Sequence, residues 1–166
     1  MRIKQLSVFA LFVCLAFLLS AGCAKQQVAP AGGTEGSAGM NQSEFEARNL
    51  SESQRIVLSE KIYFAFDSFE LSPEARAVLD RKAQLIRTKP NLKVLIEGHC
   101  DERGTQEYNL ALGERRAKAA EKYLVMLGVP TMQIETVSYG EERPAVIGHN
   151  ENAWAQNRRD EFQAVW

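Results

Sequence analysis

The side chains best equipped for chemistry in this sequence lie in one stretch, His99-Cys100-Asp101-Glu102-Arg103, with Arg116 a short way beyond it. A thiol between an imidazole and a carboxylate invites two readings, a nucleophile with its base or a metal site. Successive side chains of an extended segment point to opposite faces, so His99 is badly placed to serve as base for Cys100. Free cysteine is among the most buried residue types, and Cys100 reads as a small buried thiol. A metal site drawn from His99, Cys100 and Asp101 lacks a second ligand cluster, since His149 is the one other histidine. No catalytic group, metal or cofactor is therefore expected. Asp101 and Arg116 taken alone read as a solvated surface ion pair of little energetic weight. Only the fold can bring them together, because their spacing in the sequence does not.

The elements that must position them follow from periodicity. Ile62, Phe64 and Phe66 alternate with Lys61, Tyr63 and Ala65, which predicts a first strand over Lys61–Phe66 with one apolar face. After a turn at Asp67–Glu70, Ser72-Pro73-Glu74 supplies an N-cap, a proline at the first helical position and an acid in the first turn. That helix runs to about Thr88, burying Ala75, Val78, Leu79 and Ile86, until Lys89-Pro90-Asn91 breaks it. A second strand is expected over Leu92–Glu97, ending at Gly98, with His99–Thr105 as a polar loop. A long helix from Gln106 to Leu127 stops at Gly128. Its three- and four-residue spacings put Asn109, Leu112, Gly113, Arg116, Ala117, Ala120 and Leu124 on one stripe, and Tyr108, Tyr123, Leu124 and Leu127 read as core. A third strand over Gln133–Tyr139, a loop over Gly140–Asn150, a short helix around Trp154 and a last strand over Glu161–Trp166 complete the order β-α-β-α-β-(short α)-β. This alternation over about 110 residues predicts an α+β two-layer sandwich, with helices on one face of a four-stranded mixed sheet. Tyr139, Trp154 and Trp166 read as packing residues rather than sugar-stacking platforms. Asp160-Glu161 makes an acidic start for a core strand, so the pairing of the last strand stays open.

With 166 residues, 45% hydrophobic and 25% charged, the chain holds one globular domain plus additional segments, not two domains. A formal charge of -1 and the lack of any Lys/Arg block argue against a nucleic-acid partner. Near the N-terminus, Arg2 and Lys4 precede an apolar run from Leu6 to Leu19, and Ser20-Ala21-Gly22 follow before Cys23. The run is shorter than the roughly 20 residues of a membrane-spanning helix, and the pattern reads as a secretory signal over residues 1–22. Cys14 would leave with the signal, and Cys23 and Cys100 make no natural disulfide pair. Residues 23–54, rich in Gly, Ala, Ser, Gln and Glu, read as a tether before a domain over 55–166. About 30 flexible residues average near 30 Å end to end and reach about 100 Å when stretched.

Gly98-His99-Cys100-Asp101-Glu102-Arg103-Gly104 followed by Asn109-x-x-Leu112-Gly113-x-x-Arg116-Ala117 resembles the signature of the OmpA-like peptidoglycan-binding family. Phe64-Ala65-Phe66-Asp67, Val137-Ser138-Tyr139-Gly140, Pro144–His149 and Asn157-Arg158-Arg159 resemble the lipoprotein branch of that family. The resemblance implies an OmpA-like fold and a binding protein without enzyme activity, which holds peptidoglycan non-covalently through the diaminopimelate of its stem peptide. Diaminopimelate ends in an ammonium and a carboxylate on one carbon, so its receptor needs an acid and a base a few ångströms apart, making charge-assisted contacts. By position the resemblance gives the ammonium to Asp101 and the carboxylate to Arg116, lines the pocket with Phe66 and Asp67, and adds Asn109 and Arg158 as further contacts. Cys100 stands where the family usually has a small residue such as Ala or Thr.

Leu19-Ser20-Ala21-Gly22-Cys23 resembles the bacterial lipobox, with Ser20 in the place usually held by Leu. It implies a lipidated Cys23, whose acyl chains would bury tens of methylenes at about 0.8 kcal/mol each and anchor the protein stably. Ala24, where an aspartate would signal inner-membrane retention, implies the outer membrane, with the domain facing the periplasm. The partners implied are peptidoglycan, TolB and, second to it, TolA of the Tol system, in outer-membrane constriction during cell division. The rival readings are an OmpA-like anchoring lipoprotein that acts without Tol, and a murein hydrolase, for which the sequence offers no convincing catalytic constellation.

Overall fold

Each helix starts where the sequence offers the orphan N–H groups of the first turn an oxygen. A computed structural model of the chain describes residues 49–165. The expected signal, the cysteine expected to carry lipid, Cys23, most of the expected tether and Trp166 lie outside the described residues. Helix α1 (Glu52–Ser59) opens on a capping box, in which Gln54 N donates to Ser51 Oγ at 3.3 Å and Ser51 N to Gln54 Oε1 at 3.0 Å. Ser72 caps α2 (Pro73–Arg87), Thr105 caps α3 (Gln106–Met126) and Asn150 caps the short α4 (Glu151–Asn157).

Helix α1 corrects the sequence reading, which gave residues up to 54 to the tether. Leu50 and Leu58 are buried in the core, so the ordered domain begins earlier than 55. Eight residues are too few to show a helical period, and the capping box was the one available sign. The last turn of α1 is tied down by a residue no periodicity would assign to the interior. Lys82 of α2 is fully buried, and its Nζ donates to the carbonyls of Val57 at 2.8 Å and Leu58 at 2.6 Å.

The four strands β1 (Ile62–Tyr63), β2 (Lys93–His99), β3 (Ile134–Gly140) and β4 (Arg159–Val165) form one mixed sheet in the order β1-β4-β2-β3. Strands β2 and β3 are parallel, joined by α3, while β4 runs antiparallel to both β1 and β2. Alternate residues of β2, Val94 and Ile96, face α2 and α3 and pack with Leu79, Ile86, Ala117, Ala120 and Leu124. The opposite face carries polar pairs, among them Lys61 with Glu161 at 2.9 Å and Gln163 with Glu97 at 2.9 Å. Among the described residues no helix is long and apolar enough to cross a membrane.

Two expectations about the strands change. The first strand is shorter than Lys61–Phe66: Phe64 N still donates to Arg158 O at 2.9 Å, but the chain turns at Asp67, whose φ is 53°, and Phe66 is 58% exposed. The last strand begins at Arg159 and lies in the interior of the sheet, pairing Ile96 with Phe162 and Gly98 with Asp160. Its acidic start is accommodated on two faces. Glu161 accepts from Lys61 and from Arg159 at 2.6 Å, whereas Asp160 points inward, fully buried, and burial pushes its carboxyl well above the usual range, favouring the neutral form.

The contact that sets the site is backbone against backbone. A Cβ on Gly98 would lie 2.0 Å from Gly113 O, and one on Gly113 would lie 2.3 Å from Ser138 Oγ. Only glycine at both positions lets α3 settle onto β2, and that approach carries Arg116, one turn further along α3, over the end of β2.

Candidate ligand-binding cleft

At the C-terminal end of β2 the chain leaves the sheet through a bulge between Gly98 and His99, with Cys100 N donating to Gly140 O at 2.8 Å. The cleft that opens there has a volume of about 190 Å³. Its wall includes all six residues singled out from the sequence: Phe66, Asp67, Asp101, Asn109, Arg116 and Arg158. These come from the β1–α2 turn, the β2–α3 loop, α3 and the α4–β4 junction, so no local stretch of sequence contains the site.

The acid of the cleft is heavily partnered. Asp101 is 4% exposed, and its Oδ1 accepts from Arg103 N and Nε, both at 3.1 Å. Its Oδ2 accepts from Arg103 Nη2 at 2.7 Å and from Arg158 Nη1 at 3.2 Å. Burial pushes the carboxyl up, but the hydrogen bonds from Arg103 and Arg158 outweigh it and hold Asp101 below the usual carboxylate range. Arg158 is itself fixed, donating to Phe64 O at 3.1 Å and to Glu151 Oε1 at 2.6 Å.

The base is held differently. Arg116 is 1% exposed, and its guanidinium donates to the carbonyls of Ser68 at 2.8 Å, His99 at 2.8 Å and Ala65 at 3.2 Å. A fourth, longer contact reaches Cys100 Sγ at 3.5 Å. A guanidinium has five N–H donors, so one remains. Among the described residues no carboxylate lies within ion-pair distance of Arg116, so its positive charge enters the cleft without a counter-ion.

The remaining members mostly build the walls. Asn109 is buried, and its amide donates to Asp101 O and Arg103 O, both at 3.2 Å, and to the Glu141 carboxylate. Those bonds clamp the loop that carries Asp101, leaving Asn109 a brace. Tyr108 corrects the core assignment: it is 46% exposed, and its hydroxyl donates to the Asp67 carboxylate across the mouth of the cleft. Cys100 is buried, its thiol donates to Asn109 O at 3.2 Å, and burial raises its pKa to about 11, which suits an inert thiol. Trp154 packs at the rim, its indole N–H donating to Glu102 Oε1 at 2.8 Å. Among the described residues no cluster of three or more His, Cys, Asp or Glu side chains could hold a metal ion.

Arg103 is the contributor the sequence reading passed over. Its guanidinium lies between two aromatic rings, 4.0 Å from the centroid of Phe66 and 4.1 Å from that of Trp154. It stood inside the recognised motif, but nothing in its spacing shows that it turns back onto the carboxylate two residues earlier.

A sheet of this order, helices on one face and a cleft at the end of β2 define an OmpA-type domain, and the chain belongs to the OmpA family, whose model matches residues 63–158. Within that family it is similar to proteins named peptidoglycan-associated lipoprotein. The one from Pseudomonas putida is 51% identical over 115 residues, which are 69% of this chain and 69% of that protein. The one from Rhizobium meliloti is 42% identical over 160 residues, 95% of this chain and 89% of that protein. Among solved structures, the peptidoglycan-associated lipoprotein from Burkholderia pseudomallei superposes with a TM-score of 0.62 at 46% identity, covering 63% of this chain and 89% of that one. The C-terminal domain of Helicobacter pylori MotB shares the fold, with a TM-score of 0.61 at 20% identity.

Proposed function

We propose that this chain is an outer-membrane lipoprotein whose domain binds peptidoglycan non-covalently, without turnover, by capturing the diaminopimelate of the stem peptide. Lipid on Cys23 would hold one end, the residues between it and the start of the ordered domain near 50 would span the gap as a tether, and the cleft would hold the wall. The observation that carries this reading is the pairing in one small cleft of a buried carboxylate, Asp101, with a buried guanidinium, Arg116, that has no carboxylate partner among the described residues. A ligand with an ammonium and a carboxylate on one carbon complements both, and a lysine side chain complements only one. The names of the relatives from Pseudomonas putida and Rhizobium meliloti support peptidoglycan as the ligand. The sequence resemblance to the lipoprotein branch of the family leads us to propose also a place in the Tol system, with TolB as protein partner and outer-membrane constriction during division as the role. Bivalent anchoring of this kind makes the second contact intramolecular, with the tether setting its effective concentration.

The test is calorimetric titration of the full chain in detergent with a diaminopimelate-containing muropeptide and with its lysine counterpart. Preference for the diaminopimelate form by at least about tenfold, about 1.4 kcal/mol, supports the two-charge capture. Equal binding of both forms, or binding of neither, sinks it. Recovery of TolB on the immobilised chain separates a Tol partner from an anchor that acts without Tol.

A further inference from the structure

We infer that Arg103 occupies the ligand's ammonium position in the free protein, so that capture at the cleft exchanges one cation for another. This rests on the reading of the cleft as a receptor for an ammonium–carboxylate pair. A carboxylate accepts at about four lone-pair sites. On Asp101 four N–H donors fill them, three from Arg103 and one from Arg158. No acceptor direction is left for an incoming ammonium, so one cation must withdraw.

The geometry selects which. The Arg158 side chain is 8% exposed and is also bonded to the Phe64 carbonyl and to Glu151, so moving it would strand a buried carbonyl and break a second ion pair. Arg103 is 30% exposed at the rim, and among the described residues its only ion-pair contact away from Asp101 is a long one, 3.6 Å, to Glu151. The Phe66 and Trp154 rings hold it from both sides, but Phe66 is itself exposed, and an arginine between two rings at the surface can slide outward with both faces still covered. The other end of the cleft needs no such displacement. Among the described residues Arg116 has no ion-paired carboxylate to give up, so a ligand carboxylate meets an unpaired guanidinium there.

The thermodynamic consequence is specific. An internal competitor lowers the apparent affinity for any ligand that needs Asp101 by the fraction of molecules in which the latch is open. It lowers a diaminopimelate ligand and a lysine ligand by the same factor, so Arg103 sets the strength of the grip, and the Asp101–Arg116 pair sets the choice. A weaker, faster-exchanging contact suits an anchor that must let go of the wall as the envelope remodels.

The experiment is a double-mutant cycle on the full chain in detergent, titrated with the diaminopimelate-containing muropeptide: wild type, Arg103→Met, Asp101→Asn and the double variant. Methionine keeps an unbranched side chain between the rings and removes the charge. Arg103→Met should tighten binding by about fivefold or more, Asp101→Asn should weaken it, and Arg103→Met added to Asp101→Asn should bring no gain. In parallel, the Arg103 Nε–H resonance of the wild type should shift on saturation. Unchanged or weaker binding in a folded Arg103→Met chain, or a gain that persists without the Asp101 carboxylate, overturns the exchange. Should Arg103→Met not fold, Arg103→Gln takes its place, and an Arg103 resonance that stays put at saturation is by itself an overturning result. A wild type that ignores the muropeptide overturns the ligand reading as well. A wild type that binds, with no gain in Arg103→Met, overturns the latch alone.

Discussion

The two charged ends of the cleft are buried to nearly the same depth and are held by opposite means. Asp101 is satisfied by two side-chain cations, of which one sits at the rim, and by the Arg103 backbone N–H. Arg116 is satisfied by backbone carbonyls from two segments, the β1–α2 turn and the end of β2, with no carboxylate in ion-pair contact among the described residues. A carboxylate neutralised by an arginine can trade partners, because another cation replaces what is lost. A guanidinium that closes on the carbonyls of Ala65, Ser68 and His99 trades less freely, because the buried His99 carbonyl has no solvent to take the donor's place. The acid end is therefore electrostatic and exchangeable, and the base end is also a structural tie.

The sharpest way to break this comparison is Arg116→Lys. Lysine keeps the charge, but one compact ammonium cannot span three carbonyls in the fork geometry of a guanidinium. Leaving the buried His99 carbonyl unpaired and releasing the β1–α2 turn should cost about 3 kcal/mol of stability, read as a lower urea midpoint at unchanged m-value. An unchanged midpoint would mean that the β1–α2 turn does not depend on Arg116. Asp101→Asn should cost less, about 2 kcal/mol, since Arg103 and Arg158 both keep contacts with Glu151. The pH dependence separates the ends further. Asp101 titrates in the folded state below its ordinary value of 3.8, so the unfolded chain binds the extra proton in that window. The stability this contributes is fully present above pH 3.8 and is lost as the pH falls through the lowered value. Glu161, held down to about 2 by Lys61 and Arg159 against its own burial, adds to the same acid limb but is present in both chains. Subtracting the Asp101→Asn stability curve from that of the wild type should isolate the Asp101 contribution. A flat difference below pH 4, by an order-of-magnitude criterion, would show that Asp101 is not held down by its arginines.

How much of this was legible in the sequence also divides along the cleft. The stripe Asn109, Leu112, Gly113, Arg116 is a direct product of helical spacing, and the structure buries it as a stripe. From β1 onward the order of elements and the mixed sheet were readable, because Ser72-Pro73 opens one helix, Gly128 closes the next and Pro90 breaks between α2 and β2. What periodicity could not give is anything set by a side chain turning back on its own loop or crossing between elements. Arg103 folds onto Asp101 in an irregular segment without a period, Lys82 runs inward from α2 to two carbonyls of α1, and Tyr108 leans out to Asp67 instead of into the core. Strand β4 was obscured because Asp160 and Glu161 look like surface residues, while partners on β1 and at β4 itself let one be paired and burial lets the other stay neutral. The resemblance pointed to the six wall residues, but it could not separate Asn109, a brace, from Asp101 and Arg116.

Cys100 lies at the junction of the two ends, and the smallest effect is expected there. Its Sγ touches Arg116 Nη1 at 3.5 Å and donates to Asn109 O at 3.2 Å, so it bridges the helix that carries the base and the loop that carries the acid. With a thiol pushed up to about 11 by burial, it stays protonated at neutral pH and acts as a small apolar filler with one weak hydrogen bond. Cys100→Ala removes that sulfur without touching the three carbonyl bonds of Arg116 or the four donors on Asp101. It should cost about 1 kcal/mol or less in denaturant unfolding and leave muropeptide affinity within about twofold of wild type. A tenfold loss of affinity at intact stability would instead mean that the sulfur reaches the ligand, and that the two ends of the cleft meet through it rather than through the ligand.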